Sequence, residues 1–246
     1  MSGTRTRRPF LLSFFNRAWH DRDSRGSVYV FSKAASGNWL EVQKLAPPSS
    51  RQSESQYFHG NYGEAVAMSD DATLLAVRSP YDYSDGLRGV VYMYIRGSDG
   101  KYTETERLST PEGPQLSFAS GKSLALLDDF LLIGSGSNKK VYVFKRTDSG
   151  AYRNTTELIA SDASPDSIFG ISLDGGGGDV LVHDCRDDAS YLFSFQYGVW
   201  KERAKFDGCN TALSGNSIVT QSNQDFGFVD SGYYGGPVSF YDLDCE

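Results

Sequence analysis

Cysteine is scarce in this chain: Cys185, Cys209 and Cys245 are the whole complement among 246 residues. Three thiols so scattered cannot build a disulfide framework and lack the paired spacing of a metal site, so whether any two of them pair stays open. His20, His59 and His183 are the only histidines, and all three fall in predicted loops. No stretch approaches the roughly 20 apolar residues that a membrane helix needs, so no helical span is predicted. A surplus of positive charge is also missing. With 24 Lys and Arg against 31 Asp and Glu the net charge is −7, which disfavours nucleic acid and anionic membrane as general partners. Gly175 to Gly178 is followed by neither a Lys-Ser/Thr pair nor a helix, which excludes a phosphate loop.

What is present is short β-forming runs separated by turns. Phe130 to Gly134 is apolar, Val141 to Phe144 is β-branched and aromatic, and Tyr152 to Leu158 is a more polar run closed by Leu. Three strands and two turns fit this stretch. The same order recurs with edits. Residues 11–31 lie without a gap on residues 74–94, with Arg25-Gly26 falling on Arg88-Gly89. The apolar run after the basic N-terminus is therefore read as the second strand of an incomplete first repeat rather than as an export signal. Val28, Val91, Val141, Leu192 and Val238 are read as equivalent strand starts. Trp39/Leu45, Tyr102/Leu108, Tyr152/Leu158 and Trp200/Phe206 all sit six residues apart.

Four short antiparallel strands in a unit of about 50 residues predict a β-propeller blade, because one small twisted sheet buries both faces only by stacking on copies of itself. The expected fold is all-β, with about five blades, three complete and two partial, forming a ring or part of a larger one. Residues 1–9 are expected to be a disordered tail. Residues 10–246 are expected to form one domain, with repeats at about 10–46, 58–110, 117–161, 168–208 and 209–244.

Tyr62-Gly63, Phe169-Gly170, the Asp-Asp turns and Gly-x-Val-Tyr-Val-Phe resemble FG-GAP repeats, the type of the integrin alpha head propeller, over roughly residues 11–243. That resemblance implies a non-catalytic adhesion or interaction module, not an enzyme, often extracellular or at the cell surface. It also implies calcium in a loop of alternating carboxylates. The corresponding turns, Ser69 to Ala72, Leu127 to Asp129 and Asp174 to Asp179, lack that alternation, so no metal or other cofactor is expected. Asp21-Arg22-Asp23-Ser24-Arg25-Gly26 has the spacing, but Arg25 stands where a ligand would.

Loops that gather on one propeller face make Trp19, His20, Tyr81, Tyr83, His183, Tyr233 and Tyr234 the candidate binding residues, for a protein or glycan ligand, in a chain expected to be monomeric. Aromatics beside Asp suit such recognition. No carboxylate pair stands out as catalytic, and His183-Asp184-Cys185 is a poor nucleophile arrangement because neighbours along a strand point to opposite sides. Two alternatives are carried: a carbohydrate-active enzyme or lectin on the same scaffold, and a truncated copy without function.

Overall fold

The computed structural model describes residues 9–14, 26–47, 61–82, 89–111, 123–214, 217–221, 228–229, 232–233 and 238–242. For residues 9–14, 210, 214 and those beyond 219 the description is of the backbone. Every regular element among the described residues is a β-strand, and the fold is an all-β propeller of antiparallel blades. The chain divides into two compact units, Met1–Pro114 and Gln115–Glu246.

The first unit holds two blades. Strands β1 (Pro9–Phe14), β2 (Ser27–Lys33) and β3 (Trp39–Leu45) form blade 1 in sequence order. Phe10 lies opposite Phe31 and Ser13 opposite Val28, so the N-terminal apolar run does pair beside the Val-Tyr-Val-Phe strand. Blade 2 is β4 (Val66–Met68), β5 (Leu74–Ser79), β6 (Val90–Arg96) and β7 (Tyr102–Leu108). Alternation along β2 sends Val28 and Val30 into a core shared with Leu75, Val77, Tyr92, Tyr94 and Tyr102 of blade 2. Between the outer strands, the Gln43 amide acts like one rung of a ladder. Its Nε2 donates to the carbonyl of Tyr102 at 2.9 Å, and the Tyr102 N–H donates to its Oε1 at 2.7 Å.

The second unit holds the rest. Blade 3 is β8 (Leu124–Leu127), β9 (Phe130–Ser135), β10 (Lys140–Arg146) and β11 (Tyr152–Leu158). Blade 4 is β12 (Ser172–Gly176), β13 (Asp179–Asp184), β14 (Ala189–Gln196) and β15 (Val199–Asp207). Blade 5 has three strands, β16 (Asn210–Ser214), β17 (Ser217–Gln221) and β20 (Val238–Asp242), and β18 (Phe228–Val229) pairs with β19 (Gly232–Tyr233) as a separate hairpin. Val141, Val143 and Leu158 pack on Val180, Val182, Tyr191 and Phe193 between blades 3 and 4. Between blades 4 and 5 the described core residues are Leu181, Leu192, Phe206, Leu213 and Ile218.

A bulge puts the blades in register. The pairing of third with fourth strand shifts between Val30 and Phe31, Met93 and Tyr94, Val143 and Phe144, and Leu192 and Phe193. Each shift lies two residues beyond Val28, Val91, Val141 and Ser190. Ser190, not Leu192, is therefore the equivalent of Val28, and its separation from Val141 is 49 residues rather than 51. The alternation of apolar residues misplaced it, because blade 4 puts a hydroxyl where the others put Val. In blades 2 and 3 the extra residue is Thr105 or Thr155, whose hydroxyl donates to the carbonyl of Met93 or Val143 at 3.3 and 3.2 Å.

This register also aligns three aromatics per blade. Tyr92, Tyr94 and Tyr102 are buried in blade 2, as are Tyr142, Phe144 and Tyr152 in blade 3. In blade 1 the equivalent Trp39 keeps 49% of its surface in water. Over the first ring of the trio lies a cation in each of blades 1 to 4: Lys44 over Tyr29, Arg107 over Tyr92, Lys205 over Tyr191, and in blade 3 Lys140 over Tyr142. Blade 3 differs because Glu157 stands opposite Tyr142, so its cation comes from the strand start and bonds Glu157 at 2.9 Å.

The aromatic-glycine corners have a steric cause. Tyr62 and Phe169 are wholly buried, Tyr62 edge-on to Tyr92 and Phe169 edge-on to Tyr191 and Phe193. The glycine after each adopts φ near +90° and donates its N–H to a strand of its own blade, Gly63 to Arg78 and Gly170 to His183. Gly134 of blade 3 sits against this corner, and a Cβ there would lie 2.2 Å from the Gly170 carbonyl oxygen. The Ser69 to Ala72 turn is held by its own groups. Ser69 donates to Asp71 at 2.6 Å, as does the Thr73 N–H at 2.9 Å, and these bonds hold the Asp71 carboxyl below its ordinary range. That turn therefore spends its carboxylate on backbone geometry.

Candidate functional site

Two polar clusters stand at blade ends, one in each unit. In the first, Glu64 precedes β4 and Arg78 lies near the end of β5. Two backbone bonds fix their relation: Gly63 N–H donates to the Arg78 carbonyl and Arg78 N–H to the Ala65 carbonyl, both at 2.9 Å. Glu64 is thus held between two rungs, with its Oε2 3.8 Å from Arg78 Nε. Arg78 is only 8% exposed in a strand that otherwise reads as core, Leu74-Leu75-Ala76-Val77. The Glu64 Oε2 is buried and accepts no hydrogen bond from the described residues. Burial pushes the Glu64 carboxyl above its ordinary range, and the Arg78 guanidinium only partly offsets this. Burial likewise draws the Arg78 guanidinium below its ordinary value, against the pull of Glu64. A half-buried carboxyl poised upward beside a fixed guanidinium can exchange a proton with a substrate and hold developing negative charge.

The second cluster surrounds the turn from β13 to β14. Asp184 is wholly buried and accepts from the Ser167 hydroxyl and from the N–H groups of Ile168, Arg186 and Asp187. The connector into blade 4 is fastened at three serines spaced by three: Ser161 to Glu202, Ser164 to Asp187, and Ser167 to Asp184. The same connector carries Asp162, which accepts from Tyr191 Oη at 2.8 Å and Lys205 Nζ at 2.7 Å. Hydrogen bonds from Lys205 and Tyr191 hold its carboxyl below the ordinary range. These carboxylates are already engaged, and the arrangement ties one blade to the next.

Beside that turn Cys185 is joined to Cys209, a pair that composition alone left undecided. The bond removes Cys185 as a thiol nucleophile. His183 lies on strand β13 rather than in the loop expected for it, and it is 3% exposed. Its Nδ1 is 3.0 Å from Ser190 Oγ and 2.7 Å from Thr211 Oγ1, so it bridges blade 4 to blade 5. Alternation of polarity hides this position, because it lies opposite Ser190, the residue at which blade 4 departs from the repeat.

Among the other expected binding residues, Tyr81 is half-buried just after β5, two residues beyond Ser79. Tyr233 belongs to β19. Trp19, His20, Tyr83 and Tyr234 lie outside the described residues. Glu64 and Arg78 were not among the expected residues. The available signal was an Arg closing the apolar run Leu74 to Val77 and a Glu directly after Tyr62-Gly63.

No protein-family model and no curated protein sequence matches the chain. Solved structures match it in fold. A Bacteroides uniformis protein provisionally named 6-phosphogluconolactonase aligns with a TM-score of 0.59 at 13% identity, over 94% of this chain and 67% of its own. A second protein of that provisional name, from Bacteroides fragilis, gives 0.54 at 12% identity, over 97% and 69%. A Lactobacillus plantarum protein gives 0.55 at 12% identity, over 95% and 67%. The resemblance to FG-GAP and integrin alpha propellers is thereby corrected, since two of these three similar propellers carry lactonase names and none carries an integrin name. The expectations of a non-catalytic adhesion module and of no enzymatic activity rested on that resemblance, and they are withdrawn with it. In this chain the corner glycines and Val-Tyr-Val-Phe strands serve blade packing, and a fold alone does not assign a function.

Proposed function

We propose that this chain is a carbohydrate-processing enzyme that opens a sugar lactone by hydrolysis. The observation that carries the reading is the Glu64 and Arg78 pair, a carboxyl raised by burial 3.8 Å from a fixed guanidinium. The names of two of the similar propellers support it by supplying a reaction that such a pair can serve. In this mechanism the ionised Glu64 takes a proton from water as the water oxygen bonds to the lactone carbonyl carbon. Arg78 donates N–H bonds to the carbonyl oxygen as it becomes an oxyanion. Collapse breaks the bond between that carbon and the ring oxygen, the proton passes from Glu64 to the ring oxygen, and the open-chain acid leaves.

The test is pH-stat titration of acid released from δ-gluconolactone and 6-phosphogluconolactone against the uncatalysed opening. Acceleration is expected for at least one, and Glu64→Gln should lower kcat/KM by about 100-fold or more. The wild-type rate should rise with pH through a value above the ordinary carboxyl range, because the base form is needed. Opening no faster than the uncatalysed rate for both lactones would overturn the reading.

A further inference from the structure

We propose that the Cys185–Cys209 disulfide is a redox latch that holds blade 5 onto blade 4. The bond joins the turn between β13 and β14 to the segment that leads into β16, across a separation of 24 residues. Its two residues stand in different surroundings: Cys185 is exposed and Cys209 is 6% exposed. The Cys185 end is therefore the one offered to a reductant.

Among the described side chains, Leu213 and Ile218 of blade 5 pack on Leu181, Leu192 and Phe206 of blade 4. Polar bonds also fasten the entry to blade 5. Gly208 N–H donates to Asp188 O at 2.7 Å, Ser190 Oγ to Gly208 O at 2.6 Å, and Leu213 N–H to Asp174 Oδ2 at 2.8 Å, while Thr211 meets His183. On the opposite side of the same turn Asp184 and Asp187 clasp the connector from blade 3, and none of those bonds passes through sulfur. Cutting the disulfide therefore loosens the side toward blade 5 and spares the side toward blade 3.

The step is a thiol–disulfide exchange with a dithiol reductant. A thiolate attacks Cys185 Sγ, the bond between the two cysteine sulfurs breaks, and Cys209 leaves as a thiolate that takes a proton. The second thiol of the reductant then displaces Cys185, so two electrons and two protons pass to the protein and the reductant becomes a cyclic disulfide. Reoxidation reverses each step.

Amide hydrogen exchange read by mass spectrometry, before and after dithiothreitol, tests the latch, with thiol alkylation reporting how far reduction has gone. Protection over residues 209–221 should fall at least tenfold on reduction, while β8 to β13 keep theirs. The Cys185→Ser, Cys209→Ser double variant should exchange like the reduced protein, and Cys245→Ser like the oxidised one. Should the double variant fail to fold, reduction of the native protein decides alone. Unchanged protection after complete reduction, a loss spread evenly over the second unit, or a bond that resists dithiothreitol in the folded protein would each overturn the proposal.

Discussion

Glu64 shows how one side chain can be set against the stability of its surroundings. Its carboxyl holds a proton more tightly in the folded chain than in the unfolded one, because burial penalises its charge. The sign follows from linkage. The folded state binds more protons, so stability is greatest below the ordinary carboxyl value of 4.5 and is lost as pH rises toward the raised folded value. Thermal denaturation between pH 4 and pH 7 should show a steeper fall for wild type than for Glu64→Gln, whose neutral amide does not titrate. Equal slopes would mean that Glu64 ionises in the fold as it does in water. At this scale the sequence is a poor guide. A Glu after a glycine and an Arg closing an apolar run look like solvated strand ends, and only the rungs through Gly63 and Ala65 place them together. His183 is opaque for the same reason, since its two hydroxyl partners come from separate strands. The disulfide, too, depends on a turn and a connector meeting in space.

At the scale of the strand and its corner, much more was legible. The β-branched and aromatic runs predicted the strands, and six-residue spacings predicted where the outer strand begins and ends in blades 1 to 3, and to within one residue at each end in blade 4. The bulge was invisible, because an inserted residue in one strand changes no count within the partner. The two-residue error in blade 4 arose separately, from Ser190 standing where the other blades put Val. The corner glycines were visible as motifs, but their reason is the close approach of the next blade. Gly134→Ala measures that constraint: an added methyl 2.2 Å from the Gly170 carbonyl oxygen forces the blades apart. The expected loss is about 3 kcal/mol or more, read from chemical denaturation, since overpacking against backbone has no flexible side chain to yield. A loss below about 1 kcal/mol would show that the corner can shift. The disulfide belongs to this scale too. Replacing both cysteines by serine should cost about 3 kcal/mol through the entropy of the unlinked chain, and the measured value reports how firmly the entry to blade 5 is otherwise held.

Across the whole molecule, division into two compact units predicts how unfolding is distributed. Val77 is fully buried in the first unit and Leu132 in the second. Truncating either to Ala removes packed methyl groups, at about 2–5 kcal/mol for the leucine and somewhat less for the valine. In calorimetry each variant should lower a different part of the transition, with Leu132→Ala leaving the first unit's share in place. A single transition moved whole by both variants would show that the units melt as one. Composition and periodicity foretold the all-β propeller at this scale because every blade repeats the demand to cover an oily face. They could not foretell the task, since blades that pack alike carry unrelated chemistry.

Sheet edges are where propellers meet their neighbours in solution, and here one side chain guards such an edge. By offering an amide oxygen and an amide nitrogen to Tyr102, Gln43 occupies the outward N–H and C=O at the start of β7. A stray extended chain seeking that strand finds its first docking point already taken. The solubility of the blade thus depends in part on a glutamine from the blade before it, a debt that an alanine at position 43 would call in as slow clumping at high concentration.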